Sequence, residues 1–141
     1  MKILIAFLLS LIFIFLAVFH IYWGFGGKRG SAALIPTTSN NKPVLKPRAI
    51  DCFVVALGLL CFGIFVLIRA GIILFGLPNW LLNYDLWAIA SIFLLRAMGE
   101  FKYVGFFKKI RTTQFAQLDT KCYSPLCLII GVLSIILELI N

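Results

Sequence analysis

Residues 3–23 read ILIAFLLSLIFIFLAVFHIYW and contain no Asp, Glu, Lys or Arg. An α-helix rises about 1.5 Å per residue and the hydrocarbon core of a bilayer is about 30 Å thick, so roughly 20 apolar residues span it. The run is longer than the apolar region of a typical signal peptide, and no clear small-x-small cleavage site follows it. The sequence therefore predicts an uncleaved first transmembrane helix.

Three further apolar stretches follow this helix. We predict helices over about residues 3–23, 52–77, 80–98 and 124–140, within a single transmembrane domain that covers residues 1–141. Pro78 is expected to end the second helix, and Ser124-Pro125 to begin the fourth. The 62% of hydrophobic residues is far above the roughly 45–50% of soluble domains. The predicted fold class is an all-α integral membrane four-helix bundle.

The positive charges predict the orientation. Of the 13 Lys and Arg residues, five lie in the loop of about residues 24–51 and five in the loop of about residues 99–123. The connection between the second and third helices has none. By the positive-inside rule, both basic loops are cytoplasmic and both termini lie outside the cytoplasm. Topology and attraction to anionic lipid explain the net charge of +8, so no nucleic-acid partner is expected.

The second basic loop has a helical pattern of its own. Apolar and aromatic residues recur there at i, i+3, i+4 and i+7, with cations between them. The apolar positions are Tyr103, Phe106, Phe107 and Ile110, and the cations are Lys102, Lys108, Lys109 and Arg111. This pattern predicts a basic amphipathic interfacial helix between helices 3 and 4, which anchors the loop to lipid or docks a partner.

Polar residues are expected in two layers. At the cytoplasmic level, one helix face would carry Arg96, Glu100 and Tyr103, close to His20 and Tyr22 near the end of the first helix. His20 lies beside a stripe of small residues, which favours an inward position. It is either a proton carrier or ligand contact, or a histidine that is hydrogen-bonded at a helix interface.

Three other charged residues leave alternatives open. Arg69 and Asp85 would form an ion pair near the external face, or Arg69 would extend toward the interface while Asp85 caps a helix. Asp119 either returns toward the Arg96 level or caps a local turn.

Glycines follow the first helix, at Gly24, Gly26 and Gly27, with Lys28 and Arg29 beside them. Backbone N–H groups at such glycines can approach an anion. A turn that leaves the bilayer explains the same residues through the turn chemistry of glycine.

The sequence carries no complete catalytic or metal-binding signature, and we expect no metal and no cofactor. The four cysteines form no CxxC pair and are expected to be small packing residues: Cys52, Cys61, Cys122 and Cys127.

Two blocks of the sequence resemble a known family. They are His20-Ile-Tyr-Trp-Gly-Phe-Gly-Gly27 and the run from Arg96 to Thr120, which continues to Tyr123-Ser-Pro-Leu-Cys127. Both are similar to the bacterial membrane family called domain of unknown function 3995 (DUF3995). The resemblance implies a small four-helix protein of the bacterial cytoplasmic (inner) membrane and no established reaction. Glu100 stands where this family's pattern has Asp, which keeps the carboxylate and lengthens its arm.

The resemblance also suggests site positions. If its motifs mark a site, they carry over to His20, Tyr22, Trp23, Gly26, Gly27, Arg96, Gly99, Glu100, Tyr103, Asp119 and Pro125.

The leading functional hypothesis is a cytoplasmic-side polar pocket that binds a lipid headgroup or another anionic amphiphile. Its candidate ligand-binding residues are His20, Tyr22, Trp23, Gly26, Gly27, Lys28, Arg29, Arg96, Glu100, Tyr103 and Asp119. Membrane lipids are the expected partners. One alternative is an accessory subunit that docks a membrane-protein partner or a second copy of the chain. Another is a membrane enzyme that uses His20 with Glu100 or Asp119 for acid–base catalysis.

Overall fold

The structure is a computed structural model that describes residues 1–27, 35–36, 42–43 and 48–140. Its helices are α1 (Lys2–Gly24), α2 (Ala49–Arg69), α3 (Asn79–Met98), α4 (Gln114–Leu118) and α5 (Ser124–Leu139), with a π-helical turn (Asp119–Tyr123) between the last two. Four helical segments are long and apolar enough to cross a membrane: α1, α2, α3 and the continuous segment Gln114–Leu139. The all-α, four-helix prediction is therefore confirmed.

The helices pack as two antiparallel pairs, α1 with α2 and α3 with α5. The buried residues of α1 recur at helical spacing and form one stripe: Ala6, Leu9, Ser10, Phe13 and Ala17. Small residues allow a close approach in this pair, since a Cβ placed on Gly63 would lie 3.5 Å from Ser10 Oγ. Backbone proximity of this kind is how helices associate when lipid supplies no hydrophobic driving force.

An aromatic cluster joins the two pairs. The rings of Phe62 and Phe93 lie 5.9 and 5.6 Å from the ring of Phe13, measured between centroids. In the second pair, Gly131 brings α5 against α3, where a Cβ would lie 2.7 Å from Leu94 Cγ. The bundle therefore has one core at mid-height and places its charged residues toward the two ends.

The alternation of helix directions defines these ends. At one of them, Arg96 near the end of α3 meets Asp119 before α5, and we call this the Asp119 end. At the other, Arg69 at the end of α2 contacts Glu138 near the end of α5, and we call this the Glu138 end.

The second helix differs from the expected residues 52–77. It begins earlier, at Ala49, where the backbone N–H of Arg48 donates to Asp51 Oδ2 at 2.9 Å. It ends at Arg69, because the chain turns at Gly71, whose φ of 76° no regular helix contains. The apolar residues up to Leu77 therefore lie outside the helix, and Pro78 precedes α3 instead of ending α2.

The last transmembrane segment begins at Gln114, before the expected start near residue 124. Thr113 caps it, since its Oγ1 accepts from the Ala116 N–H at 3.2 Å. Pro125 lies in the first turn of α5 and has no N–H to donate, and the helix widens into the π turn just before it. The widened turn accommodates the proline without ending the helix.

The amphipathic helix predicted between the third and fourth transmembrane segments does not form. α3 ends at Met98, and the next residues bend through positive φ values at Gly99, Phe101 and Gly105. The segment closes on itself, with Phe106 N–H donating to Ala97 O at 2.9 Å. Arg96, Glu100 and Tyr103 therefore do not share a helix face.

Candidate functional site

Asp119 accepts three hydrogen bonds from described residues of the Asp119 end. Its side chain is fully buried at the start of the π turn. Oδ1 accepts from Arg96 Nη2 at 3.1 Å, and Oδ2 accepts from Lys108 Nζ at 2.9 Å and from the Gly105 N–H at 2.7 Å. We call Arg96, Gly105, Lys108 and Asp119 the Asp119 centre.

Lys108 is buried with its carboxylate partner, and its side chain is only 1% exposed. Besides Asp119, its ammonium donates to Gly105 O at 3.0 Å and to Thr120 Oγ1 at 2.6 Å. Thr120 Oγ1 in turn lies 3.1 Å from Ala116 O, to which it donates. An ammonium has three N–H donors, so all the donors of Lys108 are used within the protein.

Two glycines let the loop fold back far enough to bring Lys108 to Asp119. Gly99 and Gly105 have φ values of 77° and 88°, which L side chains rarely adopt. Their backbones also touch: a Cβ on Gly99 would lie 1.9 Å from Val104 O, and one on Gly105 would lie 2.3 Å from Met98 O. No other residue fits at either position without a shift of the backbone.

Arg96 is the accessible member of the centre, with 36% of its side chain exposed. Nη2 contacts Asp119, whereas Nη1 is buried and has no hydrogen-bond partner within the described part of the chain. Two cations share one carboxylate here, so the centre carries a net positive charge. Further exposed cations lie on the same connection and at the start of the last segment: Lys102, Lys109, Arg111 and Lys121.

The structure brings together only part of the predicted polar cluster. Arg96 and Asp119 meet, which is one of the two arrangements expected for Asp119. Glu100 is exposed, and Tyr103 is half-buried with Lys102 Nζ 5.1 Å from its ring centroid. Among described residues, no hydrogen bond or ion pair joins Glu100 to the Asp119 centre.

The predicted residues at the end of α1 make local contacts. His20 Nδ1 lies 2.8 Å from Leu16 O of the same helix, and its ring lies 5.4 Å from that of Trp23. The N–H of Gly26 donates to Trp23 O, and that of Gly27 to Tyr22 O. These two N–H groups are therefore used in ending the helix. Lys28 and Arg29 lie outside the described residues.

A second charged cluster lies at the Glu138 end. Arg69 Nε lies 3.5 Å from Asp85 Oδ1, and Arg69 Nη2 donates to Glu138 Oε2. Of the two alternatives for Arg69 and Asp85, the ion pair is present, and it includes a second carboxylate. We call Arg69, Asp85 and Glu138 the Arg69 triad.

Sequence reasoning missed Lys108 and Glu138. The helical pattern predicts that Lys108 lies on the polar face of an amphipathic helix, where it would meet solvent and lipid headgroups. The signal for its burial was the pair Gly99 and Gly105, which interrupts the helical pattern on the N-terminal side of Lys108. The alternation of helix directions brings the end of the fourth segment to the level of Arg69, so it predicts that Glu138 lies near Arg69.

The four long apolar segments of the described chain, with charged clusters at both ends and an apolar core between, suit a multi-pass membrane protein. The family profile described as Protein of unknown function (DUF3995) matches residues 13–134. The chain belongs to this family, as the resemblance of its two sequence blocks predicted. Neither curated proteins nor solved structures yield a match to this chain.

Proposed function

We propose that this protein lies in a bacterial cytoplasmic membrane with its Asp119 end toward the cytoplasm, and that Arg96 binds the headgroup of an anionic lipid or a similar anionic amphiphile there. The orientation rests on charge. Exposed cations cluster at the Asp119 end, and the connection between α2 and α3 has no Lys or Arg. Cationic loops are retained on the cytoplasmic side, where anionic lipids attract them.

The observation that carries the proposal is the buried Nη1 of Arg96, which has no partner among the described residues. A buried donor without an acceptor costs about 1–3 kcal/mol. Nη1 is enclosed by protein while the side chain is partly exposed, so Arg96 has to turn outward before a phosphate or carboxylate oxygen can satisfy this donor and balance the net positive charge of the Asp119 centre. Arg96 is suited to this role because a guanidinium forms parallel hydrogen bonds to the oxygens of an anion.

Lys108 and Asp119 would act on Arg96 and not on the anion directly. Asp119 Oδ1 fixes one nitrogen of the guanidinium, which reduces the freedom that Arg96 would lose on binding. All the donors of Lys108 bond to protein acceptors, and one of these acceptors is Asp119. Lys108 and Arg96 therefore share the single negative charge of Asp119, so Arg96 is not fully neutralised. The half-buried rings of Trp23 and Tyr103 are candidates for contact with the acyl–headgroup boundary.

Lipid selectivity tests this proposal. Wild-type protein is purified in micelles that contain equal amounts of phosphatidylglycerol and phosphatidylcholine with matched acyl chains, and the retained lipids are quantified. We expect enrichment of phosphatidylglycerol in wild type. A hydrogen bond to a charged group contributes about 1.5–3 kcal/mol, so Arg96→Gln should lower the affinity for phosphatidylglycerol about 10- to 100-fold.

Lys109→Gln is the matched control, because it removes an exposed cation of the same loop. It should keep the preference for the anionic lipid. Equal retention of both lipids by wild type, or equal loss in the two variants, would show that general surface charge governs lipid contact and would contradict a site at Arg96.

A further inference from the structure

Two carboxylates surround one cation in the Arg69 triad. Arg69 is the last residue of α2, Asp85 lies on α3, and Glu138 lies near the end of α5. All three side chains are largely enclosed, with exposed fractions of 14% for Arg69, 1% for Asp85 and 17% for Glu138. With both carboxylates ionised, the triad carries an uncompensated negative charge inside a membrane-spanning bundle, where such charges are expensive.

The two carboxylates are not equivalent. Glu138 accepts a direct hydrogen bond from Arg69 Nη2. Asp85 lies farther from the guanidinium, with 3.5 Å between its Oδ1 and Arg69 Nε, and these two atoms form no hydrogen bond. Asp85 is also the more deeply buried group. The arginine therefore stabilises the ionised form of Glu138 better than that of Asp85.

The two oxygens of Asp85 also differ. Oδ1 accepts from the Leu86 N–H at 2.6 Å, whereas Oδ2 is buried and has no hydrogen-bond partner in the described part of the chain. An ionised oxygen in that position is shielded from solvent and has no donor among the described residues to stabilise it. A proton on Oδ2 removes the excess charge of the triad and leaves the Oδ1 contacts in place.

A surface depression lies beside the triad. An open depression of about 350 Å³ borders Arg69 and is otherwise apolar, lined by Ile68, Ile73, Leu74, Phe75 and Leu82. It lies where the chain leaves α2 and enters α3, at the Glu138 end. Arg69 is the member of the triad that borders this depression.

We propose that the Arg69 triad is a proton-binding site, in which Asp85 Oδ2 carries one proton at neutral pH while Arg69 and Glu138 remain an ion pair. No other described charged group forms an ion pair with the triad. α1 brings its N-terminal amine and Lys2 to this end, and neither lies within ion-pair distance of the triad. Tyr84, next to Asp85 on α3, is exposed. The site is independent of anion binding at the opposite end.

Infrared spectroscopy of the protein in phosphatidylcholine vesicles tests the proposal, because the carbonyl band of a protonated carboxyl is separate from that of a carboxylate. An ordinary Asp has a pKa of about 3.9 and is ionised at neutral pH. We expect wild type to show one protonated-carboxyl band at neutral pH, which shifts in heavy water. Asp85→Asn should lose this band, and Glu100→Gln, which removes an exposed carboxylate, should keep it.

Arg69→Gln distinguishes a proton-binding site from an ion pair that only stabilises the fold. With the cation removed, Glu138 should take up a proton as well, and the band should about double. A wild-type spectrum without the band at neutral pH, or a band that persists in Asp85→Asn, would overturn the proposal.

Chemical labelling of wild type keeps the test independent of the folding of the variants. A protonated carboxyl adds across a C=N bond of dicyclohexylcarbodiimide, and the adduct rearranges to a stable N-acylurea without a leaving group. Mass spectrometry should find the adduct on Asp85 at neutral pH, and its amount should decrease as the pH is raised. The exposed Asp51 and Glu100 should remain unlabelled near neutral pH. Labelling of those two residues without labelling of Asp85 would contradict the assignment.

Discussion

Replacement of Asp119 by Asn removes the carboxylate that Arg96 and Lys108 share, while keeping nearly the same shape. An amide has one acceptor oxygen and one donor nitrogen, so its NH2 group must face donors, either Arg96 Nη2 or Lys108 Nζ with the Gly105 N–H. Lys108 is 1% exposed and has no route to water, so its charge stays buried without a counter-ion. Arg96 is 36% exposed and can turn toward solvent or headgroups, so Lys108 accounts for most of the cost.

Removal of one member of a buried ion pair typically costs about 3–5 kcal/mol, and we expect Asp119→Asn to lower the free energy of unfolding by that amount. Reversible unfolding in mixed micelles, followed by circular dichroism, measures it. Asp119→Asn combined with Lys108→Met should be more stable than Asp119→Asn alone, by about 2 kcal/mol or more, because the orphaned charge is then absent.

Lys109→Met is the control for a lysine that is exposed in the same loop, and it should change stability by no more than about 0.5 kcal/mol. Two results would contradict the role of Asp119 as the counter-ion that stabilises buried Lys108. One is an Asp119→Asn variant as stable as wild type. The other is a double variant that is less stable than Asp119→Asn, which would mean that Lys108 stabilises the fold without its carboxylate.

Three further predictions concern packing and orientation. Gly99→Ala should destabilise the protein by more than about 1 kcal/mol in the same unfolding assay, because its Cβ would lie 1.9 Å from a backbone oxygen. Gly76→Ala is the control and should be tolerated, because its Cβ would meet no atom within 4 Å. Gly131→Ala should weaken the pairing of α3 with α5, while Gly58→Ala, with open space around it in α2, should be neutral or stabilising by up to about 1 kcal/mol. A Lys109→Cys variant without its native cysteines should react with a membrane-impermeant maleimide only after the cells are opened, and labelling of intact cells would contradict a cytoplasmic Asp119 end.

Apolar length was enough to predict the first and third helices, because each run ends where charged or glycine residues begin. It failed for the second helix, since the residues from Ile72 to Leu77 remain apolar after the helix has ended at Arg69. Hydropathy measures how favourably a residue partitions into lipid, and it does not indicate where the backbone turns. The turn depends on Gly71, which a hydropathy average treats as a neutral residue.

The Asp119 centre shows a similar division. The sequence predicts Arg96 near the cytoplasmic membrane level, and it leaves two positions open for Asp119, either near Arg96 or as the cap of a local turn. The choice between them depends on a loop that folds back over Gly99 and Gly105, and this is a tertiary arrangement. Gly99 and Gly105 indicate an interruption of the helical pattern, but they do not indicate which of its several cations becomes buried.

The most direct test of the proposed function is native mass spectrometry of the protein extracted gently from its own membrane, as wild type, Arg96→Gln and Lys109→Gln. We expect an anionic lipid or amphiphile bound to wild type and to Lys109→Gln, and lost from Arg96→Gln while the helical content is unchanged. Bare protein in all three samples, or the same bound species on Arg96→Gln, would contradict it. A protein subunit retained in all three, without an anionic ligand, would instead support an accessory role in a membrane complex.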